Sequence, residues 1–165
     1  MGESPGRVWI TRSAAETQAL GAALGAAIEP PLVIALRGNL GAGKTTFVQG
    51  LAGGLGIHSR VSSPTFVLVN EYAGANRVRL VHVDTYRLGT AVGVEAAAMG
   101  LEELIEDEEA VVAVEWAERV ADLLPRDHLL IELDYGTQED ERTIRMTPLG
   151  ERSRAVVSKL LGQPG

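Results

Sequence analysis

Residues 38–45 read Gly-Asn-Leu-Gly-Ala-Gly-Lys-Thr, a full G-x-x-x-x-G-K-[ST] pattern, and the apolar run Leu-Val-Ile-Ala-Leu at 32–36 leads straight into it. A buried strand that turns through glycines into a helix leaves few folds open to the chain. Gly38, Gly41 and Gly43 let backbone N–H groups turn toward phosphate oxygens, where a Cβ would obstruct them. Ala42 belongs to the same cradle. Lys44 supplies an ammonium for the β- and γ-phosphates, and Thr45 a hydroxyl able to ligate Mg²⁺. A helix opening at Lys44 aims the positive end of its dipole at the same anion. In this context the pattern predicts a nucleoside triphosphate site.

The 165 residues suit one domain spanning 1–165, with 1–6 a short disordered tail. Apolar content of 45% and charge of 22% are those of an ordinary globular chain. No stretch approaches about 18 uninterrupted apolar residues, so no membrane span is expected. The first residues lack an apolar signal core, and there is no cysteine for disulfides or thiolate metal sites. A cytoplasmic location is the resulting expectation. The net charge of −7 argues against a direct grip on nucleic acid, which needs a basic stripe. If nucleic acid is involved, a partner holds it.

The pattern along the chain predicts an α/β fold: a three-layer sandwich around a mixed, mostly parallel sheet. Residues 8–11 read as a short strand. Ser13-Ala14-Ala15-Glu16 fits a capping box opening a helix with Leu20, Ala23, Leu24, Ala27 and Ile28 on its apolar side. The helix after the glycine loop is expected to stop near Ala52, because Gly53-Gly54 each disfavour helix by about 1 kcal/mol. Residues 65–72 and 77–83 are β-rich and joined by Ala-Gly-Ala-Asn, which predicts an antiparallel hairpin. Residues 92–99 and 101–106 read as short helices, and 110–114 as a second fully apolar strand. Residues 129–133 and 142–146 read as another strand pair. A last helix at 151–161 carries Val156, Val157, Leu160 and Leu161 on one side.

Acids at strand ends must complete the chemistry. Val-Val-Ala-Val-Glu at 111–115 is an apolar strand closing on Glu115, a carboxylate placed to hold Mg²⁺ or orient an attacking water; the alternative is a solvated acid opening the next helix. Leu-Val-His-Val-Asp at 80–84 ends likewise on Asp84, either a metal-shell acid or a helix N-cap. Neither can be assigned as the base. His82 shares a strand face with Asp84 and reads as a structural histidine, as do His58 and His128. Ser62-Ser63-Pro64-Thr65 is either a switch loop sensing the γ-phosphate or a Ser-Pro turn. Trp116 is either a core anchor or a ring beside the nucleotide. The acidic run at 102–109 reads as a solvated helix face.

Taken together these motifs resemble the bacterial TsaE (YjeE-type) ATPases, which act in making the threonylcarbamoyl-adenosine modification of tRNA. The resemblance rests on the glycine loop through Thr46, on Ser63-Pro64-Thr65-Phe66, and on His82-Val83-Asp84-Thr85-Tyr86-Arg87-Leu88. It continues through Gly100-Leu101-Glu102-Glu103, Glu115-Trp116 and Leu124-Pro125-Arg126-Asp127, in family order over about residues 8–161. It implies ATP at residues 41–46, Mg²⁺ on Thr45 and Glu115, and Asp84 as a second acid needed for turnover. It implies a switch at Ser63, Pro64, Thr65 and Phe66, with Ala14 and Arg142 also at the nucleotide. Asn39 stands where the family usually has Asp, and Ala117 where Pro often follows the tryptophan. Slow hydrolysis coupled to a TsaD-type transferase and its TsaB-type companion is implied, with tRNA engaged only through them.

A small-molecule kinase of the same loop class is the main rival, with Arg119 and Arg126 as lid residues. A hairpin directly after the first loop helix fits a switch protein better. A regulatory GTPase would need an Asn-Lys-x-Asp guanine reader, which the lysines at 44 and 159 do not supply. A nucleotide-gated binding module without appreciable turnover is the third reading.

Overall fold

The computed structural model describes residues 6–39, 41–62, 69–86 and 100–162. Its centre is built from the two apolar runs. Strands β2 (Leu32–Arg37) and β5 (Ala110–Glu115) bury every residue but Arg37 and pair in parallel, with Leu36 opposite Glu115. Alternate side chains serve opposite faces. Leu32, Ile34 and Leu36 enter one core cluster with Val111 and Ala113, while Val33 and Ala35 enter a second with Val112 and Val114. Both faces are covered, as uninterrupted apolar strands require.

Around this pair run β1 (Arg7–Thr11), β3 (Val69–Ala73), β4 (Arg79–Asp84), β6 (Leu129–Tyr135) and β7 (Arg142–Pro148), in the order β1-β7-β6-β2-β5-β4-β3. Parallel pairing is confined to the four central strands; β1–β7, β6–β7 and β3–β4 are antiparallel. The sheet is therefore mixed. Its pairings among the described residues divide equally between parallel and antiparallel where a mostly parallel sheet was expected, because β1, β3 and β7 all join it antiparallel. The hairpin expected after the loop helix is present as β3–β4. Among the described residues the helices are α1 (Ala14–Ala27), α2 (Lys44–Gly54), α3 (Leu101–Ile105) and α4 (Glu151–Leu160), with 3₁₀ segments at Ala75–Arg77 and Ala117–Leu123. None is long and apolar enough to cross a membrane. The helix expected at 92–99 and the tail residues 1–5 lie outside the described residues.

Ser13 caps α1 by accepting from the Glu16 N–H, and the Glu16 side chain reaches back to the Arg12 N–H. The expected apolar stripe holds at Leu24, Ala27 and Ile28, with Leu20 packed against the same core, but the buried side of α1 is wider than that stripe. Ala23 is exposed, whereas Thr17, Gly21 and Gly25 are buried with Leu24 and Ile28. The cause is α2, which packs so closely on α1 that a methyl group has no room. A Cβ on Gly21 would meet the Phe47 carbonyl, one on Gly25 the Leu51 carbonyl, one on Gly50 the Gln18 carbonyl and one on Gly54 the Ala22 carbonyl. In each helix the two glycines are four residues apart and so share a face. This also corrects the end of α2: the helix continues through Gly53 and Gly54, because packing outweighs their propensity.

In α4, Val156 and Val157 are buried, but Leu161 lies past the helix end and is partly exposed. Gly150 at its N-cap has no side chain to offer, so Asp127 caps from the loop before β6. It accepts from the Arg152 N–H at 2.7 Å, the Ser153 N–H at 3.1 Å and the Ser153 hydroxyl at 2.7 Å. Burial works to raise the Asp127 carboxyl, but the bonds from Ser153 and Arg152 and the Arg152 charge outweigh it and hold the group below its ordinary value. Its contribution is thus fully present above an unfolded pKa of about 3.9 and lost as pH falls through the lower folded value. Asp127→Ala should cost about 1 kcal/mol near neutrality, and the melting-temperature gap to the parent should close only in acid.

Candidate functional site

The glycine loop joins the end of β2 to the start of α2, at the edge of the sheet where β4 and β5 also end. Gly38, Gly41 and Gly43 take φ of 155°, 81° and 104°. These left-handed values are open to glycine and strained for other residues. The turn closes on itself through Ala42 N–H to Asn39 O at 3.0 Å, and Phe47 N–H to Gly43 O at 2.8 Å begins the helix. Ala42 is fully buried, and Thr46 sits half-buried in the first turn of α2.

Lys44 folds back under the loop. Its ammonium donates to Gly38 O at 2.5 Å and Asn39 O at 3.1 Å, and stands 4.1 Å from the centre of the Trp116 ring. Burial pushes it below the usual lysine value, while the carboxylates of Glu115, Glu118 and Asp84 pull it back up. Lys44 is therefore a buried cation set among three acids.

Thr45 and Glu115 meet. The Thr45 hydroxyl lies 3.1 Å from each Glu115 carboxylate oxygen, and Glu115 is 3% exposed. This is a strand-end carboxylate facing the hydroxyl that follows the lysine; it is not a solvated helix acid. Asp84, aligned with Glu115 across β4 and β5, accepts from the Tyr86 N–H at 2.9 Å. His82 is fully buried and its Nε2 stands 2.5 Å from Glu115 Oε2, so it belongs to the site and is no bystander. Alternation along β4 could have found it: Leu80 joins the α1–α2 core, so His82 and Asp84 share that face with Ala113 and Glu115. The other two histidines lie elsewhere: His58 is exposed, and His128 Nδ1 bonds Pro125 O at 2.7 Å.

Trp116 follows Glu115 with φ of 58°. The buried Thr85 hydroxyl fixes this corner, donating toward Glu115 O at 3.1 Å and Trp116 O at 2.7 Å. Tyr86 packs against the indole with ring centroids 4.9 Å apart. Of the two readings open for Trp116, the structure favours a ring beside the loop. Arg142 also reaches the loop: one guanidinium nitrogen donates to Gly41 O at 3.4 Å, and the group lies 4.9 Å from the Tyr135 ring centre. Ala14 is exposed at the first position of α1. The α1 residue beside the loop is Thr17, whose hydroxyl bonds Thr11 at 2.7 Å and whose methyl lies 3.9 Å from where a Gly43 Cβ would stand. Ser63, Pro64, Thr65 and Phe66 lie outside the described residues. In the acidic run Asp107 pairs with Arg79, and Glu102, Glu103, Glu106, Glu108 and Glu109 are exposed.

The donor set fits a hard cation. A hydroxyl and a carboxylate are oxygen ligands, and the described residues hold no cluster of three or more His, Cys, Asp or Glu that could cage a metal. Thr45 and Glu115 offer oxygen donors of the kind Mg²⁺ takes, with phosphates and water completing its shell.

Comparison with known proteins decides the family. Residues 11–144 match the family model described as "Threonylcarbamoyl adenosine biosynthesis protein TsaE". The chain belongs to the TsaE family. It is 38% identical to the tRNA threonylcarbamoyladenosine biosynthesis protein TsaE of Bacillus subtilis (strain 168), over 92% of each chain. It is 43% identical to the TsaE protein of Nostoc sp. (strain PCC 7120), over 78% of each. The fold superimposes on the crystal structure of Bacillus subtilis YdiB with a TM-score of 0.82 at 33% identity, covering 98% of both chains. The matched TsaE span runs from Thr11 to Ile144 and includes every site residue described above.

Proposed function

We propose that this TsaE chain binds ATP with Mg²⁺ on the glycine loop and hydrolyses it in support of threonylcarbamoylation of adenosine in tRNA. The observation that carries the reading is the contact of Thr45 with Glu115 beside the buried Lys44 ammonium. Backbone N–H groups of residues 41–46 and Lys44 would bind the phosphates. Thr45 and Glu115 would hold Mg²⁺, the hydroxyl through its lone pairs and the carboxylate directly or through water. Bound there, the metal neutralises charge on the phosphate oxygens. Asp84 and Glu115 are the two carboxylates placed to orient a water for attack. Trp116 shields the ammonium from solvent, and Arg142 braces the loop from β7.

Ser63, Pro64, Thr65 and Phe66 are proposed as the segment that answers to the phosphate. A TsaD-type transferase with its TsaB-type companion is the proposed partner, tRNA being held by them, in the cytoplasm. The net charge of −7 supports that division of labour.

Phosphate release from ATP, measured with and without the transferase and without any small acceptor, tests the activity. Release without an acceptor supports an ATPase, and strict acceptor dependence would favour a kinase. Glu115→Ala should lower Mg²⁺-dependent turnover by about 100-fold while leaving nucleotide affinity in EDTA unchanged. Equal losses in both would contradict the metal role.

A further inference from the structure

Two groups hold the Glu115 carboxylate: the Thr45 hydroxyl, 3.1 Å from both oxygens, and the His82 ring, 2.5 Å from Oε2. We propose that His82 is a positioning residue, which fixes Glu115 so that both oxygens face Thr45 and the Mg²⁺ site is formed before the metal arrives. The proposal rests on the Mg²⁺–ATP reading above and goes beyond it by assigning the residue bonded to the carboxylate's Oε2.

His82 sits mid-strand among Leu80, Val81 and Val83, all wholly buried, with no exposure of its own. An apolar side chain would fill such a position without burying polar atoms. The ring instead places Nε2 2.5 Å from Glu115 Oε2, while its Nδ1 has no hydrogen-bond partner among the described residues. A buried imidazole with one nitrogen unpaired is an unfavourable choice for packing, so its use lies in the other nitrogen. An ionised carboxylate accepts hydrogen bonds only, which makes Nε2 the donor.

The contact removes a freedom that matters. Glutamate has three side-chain torsions, and its terminal one is broad. Thr45 alone, 3.1 Å from both oxygens, leaves the carboxylate free to rock about the hydroxyl. A second donor, on Oε2 alone, fixes the rotation. Groups that hydrogen-bond a metal-binding carboxylate act in this way, and removing one typically costs 10–100-fold in metal affinity or activity.

Three proteins should be compared: the parent, His82→Leu and His82→Gln, the last keeping an amide donor near the Nε2 position. Mn²⁺ binding in the presence of ADP is followed by electron paramagnetic resonance, alongside the Mg²⁺ dependence of ATP turnover. His82→Leu should raise the half-saturating metal concentration about 10–100-fold with ADP affinity in EDTA unchanged, and His82→Gln should recover most of the loss. A folded His82→Leu protein with parental metal affinity overturns the proposal, as does a glutamine variant no better than leucine. Should leucine prevent folding, NMR of the parent decides: the Nε2-bound proton of His82 must shift when Mg²⁺ and ADP are added, and an unmoved resonance sinks the idea. If the parent binds ADP equally with metal and in EDTA, the Mg²⁺ reading itself has failed. If the parent responds and His82→Leu matches it, only the role of His82 has.

Discussion

Gly50→Val is expected to lower the melting temperature by roughly 10 °C, through a loss of about 3 kcal/mol or more. Gly50 is wholly inside the α1–α2 contact, where a Cβ would press on the backbone of Gln18, its carbonyl oxygen first. Backbone cannot rotate away as a side chain can, so the helices must separate and Phe47, Val48 and Leu51 lose contacts with the core. Alanine provides the sharper form of the test. In an open helix Gly→Ala stabilises by about 1 kcal/mol. At Gly53, one turn on, nothing lies within 4 Å of the added methyl, and that gain should be realised. At Gly50 the same change should reverse sign. Thermal melts of the two alanine variants check this directly, and equal shifts would mean that α1 and α2 do not approach so closely.

Lys44→Ala should weaken ATP binding by more than a hundredfold, about 3 kcal/mol, without destabilising the fold. The two halves of that statement have separate grounds. In the fold the ammonium is buried, burial lowers its pKa, and its partners are the carbonyls of Gly38 and Asn39. A desolvated charge held by two neutral acceptors contributes little to stability. Toward a triphosphate the same ammonium is a direct counter-charge in a site that already holds Glu115, Glu118 and Asp84, and without it those acids repel the ligand. Calorimetry should therefore show lost affinity alongside an unchanged or higher melting temperature. Parental affinity would remove the loop from the binding site.

Much of this was legible in the chain. Strands β2 and β5 are apolar runs covered on both faces, and such runs announce themselves whatever lies around them. The glycine loop is legible for a related reason: its positive φ values at Gly38, Gly41 and Gly43 leave few residue choices. Glu115 was found because a strand that ends on an acid is a local pattern. What escaped was non-local. Gly21, Gly25, Gly50 and Gly54 read as helix weakeners in isolation, and only the partner helix shows them to be its contact surface. His82 looked structural because its use depends on the neighbouring strand, whose register places Glu115 beside it. Thr17 stands beside the loop through its place one turn into α1, which helical periodicity alone does not connect to the loop. The pairing of β1 with β7 joins residues 7–11 to 142–146, and long-range pairing of that kind carries no local mark.

The corner at Trp116 has a consequence of its own. A left-handed turn at φ 58° suits glycine, and an ordinary L-residue holds it at a cost of about 1–2 kcal/mol. Here the strain falls on the largest side chain of all, pinned by two bonds from Thr85. A chain shaped for durability alone would relax that bend with glycine, which carries no Cβ. The indole is retained at the expense of stability, so a thermostabilised variant found by blind screening would be drawn to this position and would surrender the lysine's roof in exchange.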